Sequence, residues 1–488
     1  MKKSEELILI NAQPYLTRVL IARGKRVEQF FVESQREVSL VGNVYLGRIV
    51  NVLKGIDAAF VDIGIGRNGF LPFEQVDETY VDETVEEEKR NRAGQQAQYR
   101  VGQEVIVQVI KPGSPLKGVK LTTRISLPGR FLVLMPFSTR RAISRRIEQP
   151  EERKRLAQTF NQLLPEEVGY IIRTAAEKKE SEQLKRDVRV LLDTWNSIKN
   201  RASRGRAPRL LWQELDLATS VLRDYAGDST SQIVVDSDHL FKKLRQYLRT
   251  FMPEMLPALT FHRSRMPLFA HFQMEKQIES FLEPRVDLPS GGYLLFDESE
   301  TLNSIDINTG GSVRRNLEET IFNTNLEAAR EIPRQISVRN LSGLIVIDFI
   351  DMRSEAHRRH IFEVLEKALE EDKARTKILH ISRLGLVEMS REKVGLSLRQ
   401  LLLENCPHCH GTGRIKSTVL AALGLKNELM VKLITEPRKK FSVALSESLA
   451  RFIRENRVLE LNFFERKRVS FHILPNVDPD YFQFNERS

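Results

Sequence analysis

Two short apolar runs, each carrying a carboxylate near its end, constrain this chain more than any other feature. One is Asn303-Ser304-Ile305-Asp306-Ile307-Asn308; the other spans Gly343 to Asp351 and includes Asp348. Runs of Leu, Ile and Val without a polar break read as strands buried on both faces. The polar stretch 316–335 between them reads as a helix, although Pro333 lacks a backbone donor and should kink or shorten it. Strand, helix, strand is a crossover unit, so the two strands should run parallel. A carboxylate inside such a run is costly unless paired, protonated or bound to a cation. Asp306 and Asp348 on neighbouring strands suit Mg²⁺, which takes oxygen ligands and keeps several waters. Asn308 falls on the same face as Asp306, two residues away. The plainer alternative is that both acids cap turns or pair with local Arg or Lys.

The 488 residues allow about three or four domains. Lys and Arg total 76 against 65 Asp and Glu, a net charge of +11, which points to a polyanionic partner, most simply nucleic acid. There are two cysteines, Cys406 and Cys409, so a disulfide framework is excluded and a reducing cytoplasm is expected. The N-terminal apolar run is too short for a signal sequence, and no stretch approaches a membrane span.

The chain divides on pattern into seven stretches. Residues 1–39 alternate apolar and polar and read as a few strands with a turn at Gly24-Lys25; they either join something later or form an arm. Residues 40–124 hold five short strands (43–53, 58–63, 69–72, 104–111, 119–123) with Gly turns, the pattern of an oligonucleotide-binding barrel. A charged segment, 77–100, reads as a solvated loop inserted in it. Phe60 and Phe70 fall on adjacent strands, with Lys111 and Lys117 nearby. Stacking surfaces beside Lys suit single-stranded nucleic acid, while the competing reading makes both Phe core residues. Residues 125–222 mix a strand at 131–135, a helix at 150–163, a strand at 169–174 and a long helix at 181–204. Arg140, Arg141, Arg145 and Arg146 form a basic patch, and 201–209 reads as a basic linker. Residues 223–283 hold a strand and two helices, 284–403 are α/β and contain the opening feature, 404–418 hold the cysteines, and 419–488 form a smaller α/β tail.

Cys406-Pro407-His408-Cys409-His410-Gly411-Thr412-Gly413 is a metal knuckle supplying two thiolates, whereas structural Zn²⁺ wants four ligands. Either His408 or His410 contributes, or a second copy of the chain supplies two more thiolates. A redox Cys-x-x-Cys is the rival, but the Gly-Thr-Gly that follows argues against it.

Several stretches together, among them NVYLGRIVNVLKGIDAAFVDIG, LTTRISLPGRFLVLMP, ISRRIE, IIRTA, IDINTG, EETIFNTNLEAAREI, GLIVIDFIDM, ISRLGLVEMSR and CPHCHGTG, resemble the bacterial ribonuclease E/G family along nearly the whole chain. The absence of a long extension after the tail makes the expectation the ribonuclease G type rather than full-length ribonuclease E. The resemblance implies an α/β multidomain fold. In it, 1–39 and 223–283 make one RNase H-like subdomain, into which an S1 barrel (40–124) and a 5′-sensor module (125–222) are inserted. A DNase I-like catalytic subdomain (284–403), a zinc link (404–418) and a small C-terminal domain (419–488) follow. It implies Asp306 and Asp348 as Mg²⁺ ligands supported by Asn308, and Cys406 and Cys409 as Zn²⁺ ligands shared between protomers of a homodimer, two of which can pair into a tetramer. It further implies RNA contacts at Phe60, Phe70, Lys117 and Lys111, and a 5′-monophosphate pocket at Gly129, Val133, Arg173 and Thr174. In that pocket Thr174 and the backbone amides near Gly129 and Val133 would add donors to Arg173.

The expected activity is Mg²⁺-dependent endonucleolytic cleavage of single-stranded A/U-rich RNA, with 5′-monophosphorylated ends favoured, in rRNA processing and mRNA turnover. The rivals are a non-catalytic S1-type RNA-binding protein and a zinc-stapled assembly protein; the complete Asp306, Asn308 and Asp348 set argues against both.

Overall fold

A computed structural model describes residues 6–34, 39–73, 99–113, 117–299, 301–310, 317–382, 385–409, 411–459, 461, 463–475 and 477–487. Most of the charged segment expected at 77–100 lies outside them. Contacts divide the chain into two compact units, 1–401 and 402–488.

In the first unit, β1 (Glu6–Gln13), β2 (Leu16–Arg23) and β3 (Arg26–Ser34) form an antiparallel meander. Its tight turn at Gly24-Lys25 places Gly24 at φ 61°, a backbone region that a side chain disfavours. The chain then builds a barrel from β4 (Val44–Leu53), β5 (Ala58–Asp62), β6 (Gly69–Pro72), β7 (Glu104–Lys111) and β8 (Lys120–Thr122). The strand order is β4-β5-β6-β8-β7, and β4 pairs with β7 to close the ring. Alternate residues such as Ile49, Val61, Val107, Val109 and Leu121 fill the interior. The wall is tight: a Cβ on Gly118 would lie 2.0 Å from the Asn68 carbonyl oxygen.

β9 (Leu127–Pro128), β10 (Leu132–Met135), β11 (Arg141–Ile143) and β12 (Gly169–Ile172) make a small sheet in the order β11-β12-β10-β9. Between β11 and β12 runs α1 (Pro150–Leu163), opened by Pro150 and acidic residues in its first turn. After β12, α2 (Ser181–Ser203) buries Leu184, Val188, Leu191, Trp195 and Ile198, a helical stripe, in the same core as Leu132 and Tyr170. The basic stretch that follows is only in part a linker. After it, β13 (Arg209–Trp212) pairs antiparallel with β4. The arginines around this strand mask it in sequence, and its partner lies more than 160 residues earlier.

α3 (Leu217–Tyr225) is capped by Asp216, whose carboxylate accepts from Thr219 N at 3.0 Å. β14 (Thr230–Val235) then returns beside β1 in parallel, and α4 (Asp238–Phe251) and β15 (Leu259–Phe261) follow. The resulting sheet, β15-β14-β1-β2-β3, takes strands from both sides of the long intervening segment.

The last sheet of this unit contains β16 (Arg285–Asp287), β17 (Tyr293–Glu298), β18 (Leu302–Asn308), β19 (Gly343–Asp348), β20 (Thr376–Ile381) and β21 (Leu386–Arg391), in the order β16-β17-β18-β19-β21-β20. β18 and β19 are parallel, joined through a long helix, Leu317–Arg339. This helix continues past Pro333 instead of ending at 335. The proline removes the N–H that would reach the residue 329 carbonyl, a loss confined to one rung while Ile332 and Ile336 on either side stay buried.

The two central strands are not buried on both faces. Ile305, Ile307, Ile345 and Ile347 pack against Ala328, Ala329, Ile332, Ile336, Ile361 and Leu365 from the two helices of this sheet, Leu317–Arg339 and Glu355–Leu369. The alternate positions Asp306, Leu344 and Asp348 are exposed. Helices cover one face of this sheet, so alternation at period two puts every second side chain, both acids included, on the open face.

The second unit pairs helices Thr418–Thr435 and Glu447–Glu455 with a three-stranded sheet in the order Val469–Leu474, Lys440–Ser446, Phe482–Arg487. Ala421, Leu425, Val443, Leu445 and Leu449 form its core. Among the described residues of the whole chain, no helix is long and apolar enough to cross a membrane.

Candidate active site and nucleic-acid interface

The parallel register of β18 and β19 sets Ile305 beside Ile347 and Asp306 beside Asp348. The isoleucines anchor the buried face; the aspartates stand side by side on the open one. Asn308 donates from Nδ2 to Asp306 Oδ2 at 2.7 Å, which fixes that carboxylate. Partial desolvation, then the like charges of Asp306 and Asp351, push the Asp348 carboxyl above its ordinary value. Among the described residues no group of three or more His, Cys, Asp or Glu converges as a complete metal cage. Two carboxylates with an open side suit an ion that retains water, which is the behaviour of Mg²⁺. The donor chemistry therefore fits that ion.

On the barrel, Phe60 and Phe70 are register partners across β5 and β6, with ring centroids 6.0 Å apart and an interplanar angle of 63°. Both are half-buried, while their neighbours Ala59, Val61 and Leu71 are interior, so the pair lies on the outer wall and not in the core. Lys111 and Lys117 are exposed. Sequence reasoning missed Lys120, which sits in register with both Phe70 and Lys111; the signal was its alternation with buried Val119 and Leu121.

The four residues of the proposed phosphate pocket converge around one end of the small sheet. Arg173 Nη1 donates to the Gly129 carbonyl at 2.7 Å and to Asp224 Oδ1 at 2.8 Å. Thr174 Oγ1 and Ser144 Oγ are 3.1 Å apart, and Val133 lies in register with Ile171. The backbone amides expected to serve as donors are occupied. Gly129 N donates to Leu132 O, and the amides of Arg130, Phe131 and Leu132 donate to the buried Asp187 carboxylate at 3.1, 2.8 and 3.4 Å. Burial pushes the Asp187 carboxyl up despite those bonds. A side chain at 129 would collide with that carboxylate, since its Cβ would lie 2.6 Å from Oδ2. Gly129 thus serves the turn around Asp187.

Two further cations reach the same region, Lys373 from the turn before β20 and Arg146 from the loop after β11. Lys373 Nζ donates to the Asp224 carbonyl and lies 3.3 Å from the Tyr225 ring centroid, and Arg146 donates to the Asp372 carbonyl. Burial, chiefly, lowers the Lys373 ammonium to about 8. Asp372 is itself held by Arg391 at 2.6 and 3.2 Å in a buried fork. No local pattern in the sequence marks Lys373, which lies 200 residues from Arg173.

In the second unit Cys406 is exposed and Cys409 partly buried, both as free thiols. Gly411 and Gly413, at φ 86° and 69°, turn the backbone so that their amides face the Cys409 sulfur. Donation from Gly413 and then Gly411 holds that thiol below its usual range, the state a metal ligand needs. His408 Nδ1 pairs with Asp478. His410 lies outside the described residues.

A closed barrel with an outward aromatic pair, together with adjacent carboxylates on an open sheet, defines a nucleic-acid enzyme built on an S1 module. Comparison with known proteins agrees: the S1 RNA binding domain matches residues 40–124, and the Ribonuclease E/G family matches residues 126–394. Ribonuclease G of Escherichia coli (strain K12) is 37% identical over 480 residues, covering 97% of this chain and 98% of its own. Ribonuclease G of Haemophilus influenzae is 36% identical over 449 residues, 91% of each chain. Ribonuclease E of Haemophilus influenzae is 38% identical over 475 residues, 96% of this chain but 50% of its own. The chain belongs to the Ribonuclease E/G family and is an endoribonuclease.

Proposed function

We propose that this protein is a Mg²⁺-dependent endoribonuclease of the cytoplasm that cuts single-stranded A/U-rich RNA, favours 5′-monophosphorylated ends and acts in rRNA processing and mRNA turnover. The observation that carries the reading is the in-register pair Asp306 and Asp348 on the open face of the sheet, with Asn308 bonded to the first. These two carboxylates would hold Mg²⁺, which when bound supplies an activated water and offsets charge at the scissile phosphate, leaving a 3′-hydroxyl and a 5′-phosphate. Phe60 and Phe70 would stack bases, and Lys111, Lys117 and Lys120 would attract the backbone. Arg173 would take the terminal phosphate, with Thr174 and Lys373 beside it, which would make 5′-monophosphorylated RNA the better substrate.

In this reading the β15-β14-β1-β2-β3 sheet is RNase H-like and the β16–β21 sheet DNase I-like. The knuckle offers two thiolates, and Cys406 and Cys409 would hold Zn²⁺ together with the same two residues of a second copy. The product is a zinc-linked dimer, and two such dimers can form a tetramer.

The test is cleavage of a short A/U-rich RNA carrying a 5′-monophosphate or a 5′-hydroxyl, in Mg²⁺ or EDTA. Internal cutting only in Mg²⁺, abolished in Asp348→Asn, is expected. Equal cutting by Asp348→Asn would overturn the reading of the paired carboxylates as the cutting site.

A further inference from the structure

We infer that the Asp224 side chain is the positioning residue of the 5′-phosphate pocket, holding the Arg173 guanidinium so that one edge of it is presented to the terminal phosphate. The inference rests on the reading of Arg173 as the phosphate-binding residue. Asp224 lies near the end of α3, 51 residues from Arg173, on a helix packed against the β15-β14-β1-β2-β3 sheet.

Arg173 Nη1 has two protons, and two acceptors lie on it, the Gly129 carbonyl and Asp224 Oδ1. Nε and Nη2 have no hydrogen-bond partner among the described residues. That leaves an edge with two parallel N–H groups, the geometry that grips phosphate bidentately. Asp224 in turn is held from behind: Arg223 donates from Nε to Oδ1 at 3.0 Å and from Nη2 to Oδ2 at 3.2 Å. Arg223 is 9% exposed and is anchored by Glu214 at 3.0 Å and the Pro128 carbonyl at 3.2 Å. A carboxylate clamped on both oxygens by a buried arginine is a rigid stop. It forbids the long Arg173 side chain its other rotamers, so less ordering is left to pay when RNA binds. The backbone carbonyl of the same residue receives Lys373, so α3 also fixes the second cation of the pocket.

The alternative is that Asp224 merely fills the phosphate's place and competes with it. The two roles give opposite signs, and steady-state kinetics on matched RNAs with 5′-monophosphate or 5′-hydroxyl ends separate them. The readout is the ratio of kcat/KM on the two RNAs in wild type, Arg173→Gln, Asp224→Asn and the double variant. A positioning role gives Asp224→Asn a ratio at least about tenfold below wild type, with the loss in KM for the monophosphorylated RNA and kcat retained. The double variant then matches Arg173→Gln, because the side chain acts through Arg173. An unchanged or raised ratio in Asp224→Asn, or losses that simply add in the double variant, overturns the inference while leaving the sensor reading intact if Arg173→Gln abolishes the preference. A wild type with a ratio of one overturns both. If melting shows Asp224→Asn to be unfolded, Asp224→Glu replaces it: it keeps the charge but displaces the stop by one methylene, and a ratio equal to wild type overturns the inference.

Discussion

Replacing Asp348 by Asn should stabilise the metal-free protein while abolishing its activity. Adjacent strands lie about 4.8 Å apart, and Asp306 and Asp348 are register neighbours, so their charges are about 5–6 Å apart. At that distance two unit charges repel by about 0.7 kcal/mol in water and about 3 kcal/mol at the effective dielectric of a protein surface. Both side chains are exposed, so screening brings the value to about 1 kcal/mol. The Asp348 carboxyl is raised above its unfolded value, hence between the unfolded and folded pKa the native state holds the extra proton. Stability therefore falls as pH rises through that window and stays lower above it. Asn cannot lose that proton, so in EDTA at neutral pH the variant should be about 1 kcal/mol more stable, while at a pH below the window the two should be close. Urea titration followed by circular dichroism reads this difference. In Mg²⁺ the order should narrow or reverse, because binding to the native state stabilises only the wild type, by RT ln(1 + [L]/Kd). A variant less stable than wild type in EDTA would refute the reasoning: the carboxylate would then be making favourable local contacts instead of waiting for a cation.

Two further outcomes follow from the geometry. Arg391→Met leaves Asp372 as a buried charge without its fork and should cost about 3–5 kcal/mol in urea unfolding. Phe60→Ala and Phe70→Ala should each weaken single-stranded RNA binding by about 1–3 kcal/mol in fluorescence anisotropy, with little loss of thermal stability, since both rings lie outside the barrel core.

How much of this was legible in the sequence depended on distance along the chain. The barrel strands were readable because Gly turns separate them and their interior residues alternate locally. The parallel crossover was readable because one helix joins the two aspartate strands. What covers a sheet is not local: the apolar Leu344 made β19 look doubly buried, yet it is 60% exposed, because helices lie on one side only. β13 escaped because its few apolar residues stand among arginines and its partner is β4. The same limit hid the pocket's electrostatics. The resemblance implies Arg173 as a phosphate ligand, but its partner Asp224 and neighbour Lys373 come from separate elements, and the amides near Gly129 are held by Asp187, on α2.

The pairing of β1 with β14 also fixes an order of events. On a ribosome adding about 5–20 residues per second, β1 emerges roughly 10–45 s before β14, which must cover its edge, since Ile10 pairs with Val235. Through that interval the meander presents an unpaired, apolar edge, the kind of surface that recruits neighbours or chaperones. The segment from β4 to β13 has a shorter wait, since β13 emerges before β14. Its first and last strands pair with each other, so it can close while the sheet it interrupts is still half made. This nuclease is built from the middle outwards: its RNA-gripping parts are complete before the N-terminal strands that precede them find their partner.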